Sequence, residues 1–129
     1  MEDFSLKVKD ENDIMEAMDI TEQLAYKVGF SSYDRLFLRL ATEEACANAY
    51  EYCQMTNQPF FYVIWRVSET KLTICVKHEG PLFKIEKRDE INTELRGRGL
   101  QLILHIMDYV QVEKQEENVL LFMHKYKSE

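Results

Sequence analysis

Residues 4–8, Phe-Ser-Leu-Lys-Val, alternate apolar and polar side chains, the period-2 pattern of a half-buried strand. The period then changes. Ile14, Met15, Met18, Ile20, Leu24, Ala25 and Val28 follow helical spacing, with Asn12 or Asp13 placed to cap the start and Gly29 to stop the end. Ser31-Ser32 offers a second N-cap, and Leu36, Leu40, Ala41, Ala45 and Ala49 carry the helical period to about Gln54, before a turn at Asn57-Gln58-Pro59. Residues 60–67 and 71–77 read as two strands joined through Ser68-Glu69-Thr70, the spacing of an antiparallel hairpin. Residues 79–98 hold few long apolar runs and contain Gly80, Pro81 and Gly97, so they read as a loop. A third helix is predicted at about residues 100–109. Strands at 110–114 and 119–126 then close the chain around Glu116-Glu117-Asn118.

This order predicts an α+β fold, a two-layer sandwich in which about three helices cover one face of a mainly antiparallel sheet. The other face is left to solvent or to a partner. No repeat, low-complexity tract or linker interrupts the 129 residues, so they are expected to form a single domain.

Composition narrows the function classes. With 46% hydrophobic and 30% charged residues, the chain has the make-up of a packed globular domain. Charges interrupt every apolar stretch well short of the ~20 residues a membrane span needs. Met1-Glu2-Asp3-Phe4 lacks the basic-then-apolar pattern of a secretory signal, which implies a cytoplasmic protein without membrane attachment. The formal net charge of −7 argues against a sequence-independent grip on nucleic acid. A local basic patch remains possible around Arg96 and Arg98, with Lys84, Lys87 and Arg88 upstream. Cys46, Cys53 and Cys75 are odd in number and lack CxxC spacing, so they read as free thiols; Cys46 and Cys53 share a helix face as small core residues.

Three segments carry candidate chemistry. Glu44 and Asn48 lie four apart on the second predicted helix, so both project from one face, beside Ala41, Ala45 and Ala49. A carboxylate next to a carboxamide suits a hard cation such as Mg²⁺, which takes oxygen ligands and is often shared with substrate phosphates; the plainer alternative is a solvated pair on an outer face. Glu43 points elsewhere and is expected to face solvent. Arg96-Gly97-Arg98-Gly99-Leu100 opens into the third helix, where free backbone N–H groups, the helix dipole and two guanidinium groups favour a phosphate. A plain connector gives the same pattern. Val76-Lys77-His78-Glu79-Gly80 ends a predicted strand, where Gly80 lets the chain turn or a flat ligand approach. His105 and His124 show no ligand spacing with His78, which argues against zinc.

In order and spacing these segments resemble the GHKL ATPases, and within them the anti-sigma-factor serine kinases. The resemblance covers most of the chain and is strongest from Leu40 to Asn48, like that family's N box. It is equally strong from Gly97-Arg98-Gly99-Leu100 through Ile106-Met107-Asp108-Tyr109-Val110, like its last glycine box. It implies ATP and Mg²⁺ as cofactors. Glu44 would be the general base toward a partner's serine and Asn48 the Mg²⁺ ligand. Gly97, Arg98 and Gly99, flanked by Arg96 and Leu100, would form the lid over the phosphates, and Gly80 the glycine of the adenine-side box. The family's aspartate in that box is replaced here by His78, and Pro81 and Leu82 stand where small or polar residues are usual. A neutral imidazole accepts one hydrogen bond, whereas a carboxylate accepts more strongly.

The function implied is phosphorylation of a serine on an anti-anti-sigma (STAS-type) partner, regulating transcription by partner switching. Two alternatives keep the fold. One binds nucleotide without transfer; the other is a non-catalytic module that holds a sigma factor or a regulatory partner through protein contacts alone. Family members of this kind dimerise, so a homodimer is implied as well.

Overall fold

A computed structural model describes residues 2–79 and 95–128. The elements run β1 (Glu2–Val8), α1 (Glu11–Val28), α2 (Ser32–Met55), β2 (Phe61–Val67), β3 (Lys71–Glu79), α3 (Leu95–Ile106), β4 (Tyr109–Gln115) and β5 (Asn118–Tyr126). The strands form one sheet in the order β1-β2-β3-β5-β4, every neighbouring pair antiparallel. The α+β architecture expected from the pattern is therefore the one adopted.

α1 is capped by Asp10, upstream of the Asn12 or Asp13 that the pattern suggested. The reason is a reciprocal pair. The Asp13 N–H, an orphan donor of the first turn, donates to Oδ1 of Asp10 at 3.0 Å, and the Lys9 N–H just before the cap donates to Oδ2 of Asp13 at 2.8 Å. Gly29 ends α1 at φ 109°, a left-handed conformation, and its N–H with that of Phe30 closes onto the carbonyl of Ala25. Ser31 caps α2 through the N–H of Asp34, as anticipated.

Alternation along the strands sorts the sheet into two faces. Phe61, Val63 and Trp65 of β2, Leu72, Ile74 and Val76 of β3, and Val119 and Met123 of β5 face the helices and are buried. Leu38, Ala41, Ala45, Cys46, Ala49 and Cys53 of α2 and Ile103 of α3 complete that core. The opposite face carries Lys7, Ile64, Arg66, Lys77, Phe122 and His124, over which no described helix lies.

α3 starts at Leu95 and takes in Arg96, Gly97, Arg98 and Gly99, upstream of the start expected near residue 100. Glycine keeps the N–H and C=O that the helical ladder uses. It costs about 1 kcal/mol against alanine but does not forbid a helix. At the other end α3 stops at Ile106, because Asp108 N–H donates to the His124 carbonyl and Tyr109 already pairs with His124 in β4.

Candidate nucleotide site

The buried arc of α2 consists of Leu38, Ala41, Thr42, Ala45, Cys46, Ala49 and Cys53. Glu44 and Asn48 border that arc and are half-buried, whereas Glu43 is exposed, as its spacing required. The row Leu40–Glu44–Asn48 continues one turn further to Tyr52. There it meets the sheet. The Tyr52 ring lies 4.5 Å from that of His78, centroid to centroid and tilted by 37°, at the C-terminal end of β3.

His78 is buried on the helix-facing side, opposite Val119. Its Nδ1 lies 3.0 Å from the carbonyl of Glu79; a carbonyl only accepts, so Nδ1 carries the proton and Nε2 the lone pair. The same carbonyl accepts from Nε2 of Gln58 at 2.6 Å, which ties the turn after α2 to the end of β3. Burial lowers the pKa of His78, and the bond to Glu79 opposes the shift only in part. The imidazole is thus neutral at pH 7 and is an acceptor where a carboxylate would otherwise stand.

Of the residues singled out in the sequence, Glu44 and Asn48 share one row, and Tyr52 links that row to His78. The backbone of Gly97, Arg98 and Gly99 belongs to the first turns of α3, a helix that packs beside α2. Gly80, Pro81 and Leu82 lie outside the described residues, as do the side chains of Arg96 and Arg98. His105 is on the exposed side of α3 and His124 on the helix-free face of β5, so the three histidines look in different directions. Tyr52 and Gln58 escaped the sequence reading. Tyr52 was within reach, by extending the i, i+4 row one more turn. Gln58 was not, because nothing local joins it to Glu79.

A family model described as the histidine kinase-like ATPase domain matches residues 8–125. The chain belongs to that family. The match takes in every described element of this ATPase domain in whole or in part, and it agrees with the resemblance carried by the helix and glycine motifs. No curated protein matches the chain. Among solved structures, a chain of the SiaB–SiaC complex from Pseudomonas aeruginosa has a similar fold. Its TM-score is 0.66 at 10% identity, over 95% of this chain and 89% of that one. No described helix is long and apolar enough to cross a membrane.

The residues present suit a nucleotide with its metal. Asn48 is half-buried at the border of a small-residue helix face, and its amide oxygen is a hard donor of the kind that Mg²⁺ takes. The carboxylate of Glu44 stands one turn away on the same row.

Proposed function

We propose that this ATPase domain is a serine-protein kinase of the anti-sigma-factor type, which binds ATP and regulates a protein partner by partner switching. The observation that carries the reading is the meeting of the Glu44–Asn48–Tyr52 row with His78 at the end of β3, in a chain of the histidine kinase-like ATPase family. The adenine ring would sit against His78 at the end of β3. Asn48 would hold Mg²⁺, which when bound screens the phosphate charge. Glu44 would accept the proton of a serine hydroxyl as its oxygen bonds to the γ-phosphorus and the bond to ADP breaks. Gly97, Arg98 and Gly99 would lie over the phosphates, with the first-turn N–H of Gly97 and the guanidinium of Arg98 as donors. The partner would be a STAS-type anti-anti-sigma protein, a sigma factor, or both. Support for a protein partner comes from the structural neighbour, which is itself one chain of a two-protein complex.

Calorimetry with ATP and ADP, with and without Mg²⁺, tests the reading. Micromolar, Mg²⁺-dependent ATP binding is expected, with phosphoryl transfer to a STAS partner. Asn48→Ala should abolish transfer while leaving the fold intact. Normal transfer by Asn48→Ala would sink the metal assignment.

A second reading follows from His78 itself. An imidazole already in contact with the Tyr52 ring, in place of a carboxylate, suits a module that works through protein contacts alone. Absence of binding at millimolar nucleotide would favour it.

A further inference from the structure

The indole N–H of Trp65 on β2 donates to Oγ1 of Thr21 on α1 at 2.8 Å, and that oxygen lies 2.8 Å from Oγ1 of Thr42 on α2. Thr42 Oγ1 stands 2.9 Å from the carbonyl of Leu38, one turn back on its own helix. All three side chains are fully buried. An indole N–H only donates, a carbonyl only accepts, and each hydroxyl has one proton. One arrangement therefore satisfies every group, with Trp65 donating to Thr21, Thr21 to Thr42, and Thr42 to Leu38. A strand and both long helices are joined by one directed chain.

Thr42 precedes Glu44 by two residues on a helix whose other buried side chains are mostly small: Ala41, Ala45, Cys46, Ala49 and Cys53. Small side chains permit close approach, but they interlock weakly and resist rotation of the helix about its axis poorly. The hydroxyl chain supplies the missing direction. Turning α2 would pull Thr42 away and strand the Thr21 proton in the core, which costs more than a bond between exposed groups. The same turn would swing the Leu40–Glu44–Asn48–Tyr52 row off the end of β3. We propose that Thr42 is a positioning residue which, through Thr21 and Trp65, fixes the rotation of α2 and so aims Glu44 and Asn48. Its consequence for nucleotide rests on the function proposed above.

Thr42→Val keeps the side-chain shape and removes the hydroxyl, while Thr42→Ser keeps the hydroxyl. Two quantities are read on the full chain: the NMR shifts of the His78 ring protons, which the Tyr52 ring displaces, and the dissociation constant for Mg²⁺–ATP. In Thr42→Val the His78 resonances should move toward those of a histidine without a ring neighbour, and the dissociation constant should rise about tenfold. Thr42→Ser should restore both. A Thr42→Val protein that melts earlier but keeps the wild-type His78 shifts would show the chain to be core adhesive only, and the proposal would fall. If the wild type bound no ATP, the proposed function would fail by itself, and the His78 shifts would still decide the positioning role. Should Thr42→Val not fold, Thr42→Ala is read in the same way.

Discussion

His78 is where the chemistry of this site departs most from a carboxylate-based one. Its Nε2 lone pair is a single neutral acceptor, fixed by the bond from Nδ1 to Glu79 and backed by Tyr52. His78→Asp should tighten ATP binding by about fivefold or more, since a charged acceptor strengthens a hydrogen bond by roughly 1 kcal/mol. The same change should lower the thermal midpoint of the nucleotide-free protein, because a carboxylate would then be buried. Unchanged affinity by calorimetry would mean that His78 does not touch the base. That Asn48 and Glu44 lie on one face was readable from spacing alone, because two residues one turn apart must share a helix face. The contact between Tyr52 and His78 was not: Tyr52 reaches it only because α2 crosses the end of β3.

Each helix owes its limits to a few polar contacts. In α1, Asp10 satisfies the first-turn N–H of Asp13, and Asp13 holds the N–H of Lys9 just before the cap, which is why the helix begins earlier than Asn12. Asp10→Ala should cost about 1 kcal/mol, a drop in the melting midpoint of roughly 3–5 °C, and Asp10→Asn should recover most of it. Calorimetric melting curves check this; equal midpoints for Asp10→Ala and wild type would remove Asp10 as the cap. In α2, Ser31 and the alanine-rich period made both ends legible. α3 was the least legible, because its glycines read equally well as loop and as helix. The pairing of Tyr109 with His124 removed the last residues expected of it.

Over the whole molecule, folding buries His78 and partly covers His124. Desolvation is the largest cause of the lowered pKa at both His78 and His124; the Glu79 carbonyl opposes it at the first. At the second, Lys71 adds to it and Asp108 opposes it. The unfolded chain therefore binds protons that the folded chain refuses. Stability should be full above the ordinary histidine value of 6.5 and should fall as pH drops below it, until the lowered folded values are passed. Melting midpoints between about pH 7 and 5 should show this slope, and His78→Gln with His124→Gln should flatten it; a slope unaltered in the double variant would contradict the assignment. The strands, the helices and the Glu44–Asn48 pair were written into the chain as local periods, since neighbours one or two turns apart obey the geometry of their own element. Folding in three dimensions supplied the strand order, the contact of Tyr52 with His78, and the hydroxyl chain from Trp65 to Thr42. The Tyr52–His78 contact and the two bonds of that chain that cross between elements join residues at least 21 positions apart, whose approach depends on how whole elements pack and leaves no period in the sequence.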